Sequence, residues 1–215
     1  MLWQARQGLI AGRGALDAAG GGGGSSTTFD PADKSADITL SGGNLIATAS
    51  ANGGGPGVLA NSYKSTGVYY CEMSVDAYTT NWWIGLVQAA GLNSFWPGVY
   101  DSNGVGFRAS DGLVVYQGFT TLATLGAASV GAVLCMAVDI DNTHIWFRIN
   151  GGNWNNNAGA SPGVNTTAAL NFSGGGFTGP YTPQWSGGGS INDQATANFG
   201  GSAYAHSVPS GFGNW

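Results

Sequence analysis

Between Val133 and Asn150 the sequence alternates with a period of two, breaks once, and alternates again. Leu134, Met136, Val138 and Ile140 share one parity, and Val133, Cys135, Ala137 and Asp139 the other. After Asp141-Asn142-Thr143, Ile145, Phe147 and Ile149 take one face, and His144, Trp146 and Arg148 the opposite one. Successive side chains of a strand point to opposite faces, so this rhythm is that of strands with two different sides; a helix would scatter it. Asp and Asn at the break tolerate turn backbone and bond it with their own side chains. The segment therefore predicts a β-hairpin, with Asn150-Gly151-Gly152 as the following turn.

The same short rhythm runs from Thr27 to the end, cut by Gly, Asn, Asp and Pro, with no long apolar stripe at helical spacing. Strands are predicted at Ile38–Leu40, Asn44–Ala49, Gly67–Val75, Trp82–Val87, Val105–Arg108, Leu113–Tyr116, Val133–Asp139, Ile145–Asn150 and Thr196–Phe199. Many short strands separated by turn signals make an all-β, two-sheet antiparallel sandwich. Residues 151–165 and the Gly-rich run 173–190 read as long polar connections, which belong on the surface.

Only 8% of the residues are charged, against roughly 25% in an average soluble domain. The net charge is -5, and after residue 26 the basic residues are Lys34, Lys64, Arg108 and Arg148. Four cations cannot neutralise a row of phosphates, which argues against nucleic-acid binding. No apolar run reaches the roughly 18 residues of a membrane span, and the N-terminus lacks the apolar core of a secretory signal. No cofactor motif is present, and no Cys/His cluster has zinc spacing, so neither cofactor nor metal is expected. Cys71 and Cys135 both fall in apolar strands, and two readings stand: buried free thiols, or a disulfide if the strands are neighbours.

Gly20 to Gly24 with Ser25 and Ser26 form a flexible linker by composition, setting residues 1–19 apart from a domain at 27–215. In the head segment Leu2, Leu9 and Leu16 recur every seven residues, beside Trp3 and Ile10, in a stripe weakened by Gly8, Gly12 and Gly14. Either this is a featureless terminus or a docking peptide that orders against a partner; its large apolar residues are costly to leave in water.

Residues Gly131 to Trp154 resemble the core signature of SPRY domains, where a strand ending in Asp-x-Asp turns into one carrying Trp-Phe and closing on Asn-Gly. Gly67 to Met73 is similar to that family's aromatic-rich Tyr-x-Glu strand, and Ile84-Gly85-Leu86 to the strand after it. The variety found in bacteriophages and prophages is closer still. Phe29 to Leu45 resembles its opening, and Asn198-Phe199-Gly200, Tyr204-Ala205-His206 and Pro209 to Phe212 resemble its ending. The resemblance spans residues 27–215 and implies a concanavalin A-like sandwich used for binding, not catalysis. It further implies a virion structural protein: a decoration, fibre or spike. By analogy with symmetric spikes this would be a homo-oligomer, docked to other virion proteins through residues 1–19 and carried outside the cell on the particle. The alternative is a free-standing carbohydrate- or peptide-binding module.

Catalysis finds little support. Glycoside hydrolysis uses two carboxyl groups about 5–9.5 Å apart, yet Glu72 is the sole glutamate, and Asp139 and Asp141 sit at a turn. Gly159-Ala160-Ser161-Pro162-Gly163 matches a nucleophile elbow in letters but lies in a polar loop. Asp139, Asp141 and Asn142 offer hard oxygens of the kind calcium uses, without the register of a calcium loop; turn capping is the simpler reading. His144 is expected on the sheet surface or beside Trp146. The binding candidates are aromatics in or at the edge of predicted loops: Trp82, Phe95, Trp96, Trp154 and Trp185, which could stack on a host-surface glycan or anchor a protein.

Overall fold

The computed structural model describes residues 27–52, 54–89, 96–99, 104–174 and 177–215. The head segment with Leu2, Trp3, Leu9, Ile10 and Leu16, the linker 20–26, and Phe95 lie outside the described residues. Among those described, the chain forms β1 (Phe29–Lys34), β2 (Ile38–Ser41), β3 (Ile46–Ala49), β4 (Gly57–Ala60), β5 (Val68–Ala77), β6 (Trp83–Gln88), β7 (Gly104–Arg108) and β8 (Leu113–Tyr116). It continues with β9 (Thr120–Thr124), β10 (Val133–Asp139), β11 (His144–Ile149), a 3-10 turn at Trp154–Asn156, β12 (Leu170–Asn171), β13 (Tyr181–Ser186), β14 (Gln194–Asn198) and β15 (Gly213–Asn214).

Two sheets pack face to face. The smaller runs β1-β4-β13-β6-β7-β8-β9, and the larger β12-β11-β10-β5-β14-β3-β2. Neighbours on these paths are antiparallel; β15 alone pairs in parallel, along β5. The all-β sandwich expected from the alternation is thus the observed architecture. β5 lies at the middle of the larger sheet, paired to both β10 and β14. The space between the sheets is filled by Met73, Phe107, Phe147 and Trp185 from the strands and by Trp82, Phe199 and Trp215 just beyond strand ends, all buried in one cluster. Phe107 on β7 stacks on Phe147 on β11 at 5.9 Å, joining the two layers. Each such ring contributes about 1.5–3 kcal/mol through loss of apolar contact with water.

The predicted hairpin is β10–β11, in register from Leu134↔Ile149 to Asp139↔His144. Its turn is held as the sequence suggested. Asp139 accepts from the Asn142 backbone N–H at 3.1 Å and from its side-chain amide at 2.8 Å. Asp141 accepts from the Gly67 N–H at 3.0 Å, tying the turn to the start of β5. His144 packs edge-on against Trp146 at 5.8 Å.

One expectation is corrected, and one open choice is decided. Residues 173–190 are not one surface connection, because β13 runs through them, buried at all six positions between β4 and β6. Pro183 argues against a strand, but the pairing to β6 continues through Pro183↔Leu86, and that to β4 spans Gln184 to Ser186. Second, Cys71 and Cys135 are not bonded to each other. Cys71 faces Met136 in the central core, whereas Cys135 belongs to a separate cluster on the outer face. Side chains on opposite faces of a sheet cannot bridge without moving the backbone. Burial pushes both thiols above their ordinary pKa. In the native protein neither thiol is expected to react with a chromogenic disulfide reagent over minutes, and both should react in denaturant. Fast native reaction of either would contradict this burial.

Candidate binding site

The outer face of the smaller sheet carries a surface built from glycines, an arginine and three aromatic rings. Gly85 on β6 and Gly106 on β7 lie side by side in register, and a Cβ on either would overlap Pro97. Their bareness lets Trp96-Pro97-Gly98-Val99 settle on the sheet. The indole of Trp96 stacks on Trp83 at 6.2 Å with planes 22° apart. Trp83 is buried, together with Val99 and Val115, beneath half-buried Trp96 and Leu113.

Arg108 faces Trp83 across the β6–β7 pair. Its guanidinium lies 5.3 Å from the Trp83 ring centre and 5.5 Å from that of Phe119, so it sits between two π-faces. Asp111 fixes it from the side with a paired contact, Nε to Oδ1 at 2.9 Å and Nη2 to Oδ2. The Asp111 carboxylate also accepts the Leu113 N–H at 3.2 Å. Chiefly through Arg108, its pKa is held below the usual carboxylate range. Because the pair is exposed, its worth lies in fixing the guanidinium and not in stability.

Phe119 is 43% exposed, large and apolar. It ends a turn in which Gln117, Gly118 and Phe119 all have positive φ, at 44°, 74° and 73°. For a non-glycine residue that conformation costs of order 1–3 kcal/mol and persists only where the surroundings enforce it. Here the Phe119 N–H donates to the Gly98 carbonyl at 3.1 Å, and the ring rests on Arg108. The fold thus holds an aromatic ring outward, against a caged cation, at a strained turn. Such a surface can grip a partner side chain by stacking on an exposed ring and on a guanidinium plane already paired to Asp111. Among its residues it holds no acid–base pair placed for bond cleavage.

Of the aromatics singled out in the sequence, Trp96 is at this surface. Trp82 and Trp185 are not loop platforms: both are fully buried, packed edge to face at 6.3 Å, with the Trp82 indole N–H donating to the Gln194 carbonyl at 3.0 Å. Trp154 is 7% exposed and covered by the Arg148 guanidinium at 4.2 Å. Buried rings cannot stack on an outside ligand. Sequence reasoning missed Arg108 and Phe119. One signal for Phe119 was available: an aromatic directly after Gln-Gly between two short strands is placed where a turn must expose it.

No protein-family model matches the sequence, and no curated protein matches it. Solved structures do. The SPRY domain of human HERC1 aligns with TM-score 0.61 at 17% identity, covering 79% of this chain and 96% of that one. The PSpry domain of TRIM65 aligns with TM-score 0.54 at 15% identity, over 80% of this chain and 90% of that one. A human SPRY domain aligns with TM-score 0.51, also at 15% identity, over 78% and 98%. The sandwich is therefore SPRY-like in fold.

Proposed function

We propose that the chain is a non-catalytic, protein-binding module whose contact surface is the arginine–aromatic face of the smaller sheet. The observation that carries this reading is Phe119, held outward at positive φ over an arginine caged by Trp83 and Asp111. Tryptophan, tyrosine and arginine dominate binding hot spots, and rigid placement lowers the entropy lost on association. The SPRY-like fold supports the reading, since it supplies a rigid scaffold for such a surface. We further place the module on a bacteriophage particle, as a decoration, fibre or spike in several copies facing the host. Residues 1–19 would dock to another virion protein, and 20–26 serve as tether. This finer reading rests on the apolar head segment before a glycine linker and on the wording of the domain's opening and ending.

Two measurements test these parts separately. Phe119→Ala and Arg108→Ala should each weaken adsorption of the purified chain to host cells about 30-fold, the loss of a hot-spot side chain worth about 2 kcal/mol. Adsorption unchanged in both variants would remove this face from the function. Deletion of residues 1–19 should abolish stoichiometric incorporation into particles. Unchanged incorporation would leave the alternative, a free-standing carbohydrate- or peptide-binding module.

A further inference from the structure

On the opposite side of the sandwich, the outer face of the larger sheet carries a second feature that this reading does not use. A cleft of ≈ 210 Å³ opens between the β10–β11 turn and the loop 163–166, lined by Asp139, Asn142, Trp146, Val164, Asn165 and Thr166. Trp146 is 1% exposed, and its buried indole N–H has no partner in the protein. His144, packed against it, has an unpartnered ring nitrogen as well. An unmet buried donor costs about 1–3 kcal/mol, and few persist without a reason. The ring itself is fixed, between His144 at 5.8 Å and Phe212 at 6.4 Å.

We propose that this cleft holds one ring of a neutral sugar. The space is smaller than the roughly 300 Å³ at which drug-sized pockets begin, so it admits a single ring and not a peptide segment. Its lining includes no cation, and Asp139 repels phosphate, sulfate and acidic sugars. A hydroxyl both donates and accepts. One can donate to Asp139, whose two oxygens already each accept one bond from Asn142, while the Trp146 ring lines the cleft beside it. Thr166 adds a further hydroxyl, and Val164, 72% exposed, gives an apolar wall for the C–H side of the ring. The loop is shaped for this wall: Asn165 and Val164 both donate backbone N–H groups to the Ser161 carbonyl at 3.0 Å.

The test uses the full chain with nitrogen-15-labelled tryptophan and neutral hexoses and N-acetylhexosamines as probes. The indole N–H resonance missing from Trp146→Phe identifies the reporter. Titration with at least one of these sugars should shift it with a Kd on the order of 1 mM, and Asp139→Asn and Val164→Gly should each weaken binding by tenfold or more. Val164→Gly acts at an exposed position, so its readout survives if an inner variant fails to fold. A reporter unmoved by every sugar would overturn the proposal. So would a shift produced instead by methyl esters of lysine or arginine and abolished by salt, which would make the cleft a cation site. Phe119→Ala should leave the titration unchanged, which separates failure here from failure of the surface on the other sheet.

Discussion

Trp185→Ala is expected to lower the free energy of unfolding by about 3–5 kcal/mol, measured by urea denaturation with an unchanged slope. Trp185 sits in β13, a strand with neighbours on both sides, opposite Ile84 on β6 and Val58 on β4. Its ring is fully buried against Trp82, and truncation would leave a cavity bounded on two sides by paired strands that cannot collapse into it. Since a domain is stable by only about 5–15 kcal/mol, the loss would be a large share of the total. Trp185→Phe should cost much less. It keeps most of the ring and removes an indole N–H that has no partner in the protein. A cost below about 1 kcal/mol for the alanine variant would mean that β13 is not a core strand, and the smaller sheet would have to be redrawn.

That strand also marks where the sequence stopped being readable. β10 and β8 begin and end at the residues predicted, because one parity is continuously apolar and the turns on either side are rich in Asp, Asn and Gly. β13 alternates too, but its outward parity is Thr182, Gln184 and Ser186, which read as exposed. They are instead buried, with Thr182 donating to the Ala60 carbonyl at 2.9 Å and the Gln184 amide to the Ser186 hydroxyl at 2.9 Å. Nothing local announces that a polar face will be covered. β1 was missed for a different reason: Pro31 and an irregular register place it at the sheet edge, where proline is tolerated. The candidate sites divide in the same way. The Asp139–Asn142 turn is local and was legible. The cage around Arg108 depends on which residue of β6 lies opposite it, and register between strands is set by the whole sheet. The two cysteines show the limit plainly: their strands do pair, but spacing in the sequence tells neither that nor which face each thiol takes.

The second large effect is expected at Glu72. Glu72→Ala should cost about 3–5 kcal/mol, through the loss of three hydrogen bonds to one charged acceptor, and release the C-terminal segment from the larger sheet. Glu72 is the only glutamate and is buried, 3% exposed. It accepts the Tyr70 hydroxyl at 2.6 Å, the Ala205 N–H at 2.8 Å and the His206 N–H at 2.9 Å. Around it, the Tyr204 hydroxyl donates to the Tyr70 carbonyl at 2.9 Å, and Arg148 donates to the Ser207 carbonyl at 2.7 Å. One carboxylate therefore pins residues that cover the outer face of β5, and alanine would leave the buried Tyr70 hydroxyl and two half-buried backbone N–H groups without their acceptor. Burial pushes the Tyr70 phenol far above its ordinary pKa, so the hydroxyl stays a donor wherever the protein is folded. Glu72→Gln should fall between wild type and alanine. Its amide keeps one accepting oxygen but turns an N–H₂ group toward a donor. Limited chymotrypsin digestion separates a local from a global effect. In Glu72→Ala, cleavage after Tyr204 should precede cleavage at any residue of the central core. Cleavage at core sites as early as at Tyr204 would show that the segment is part of the cooperative unit and not a strap upon it.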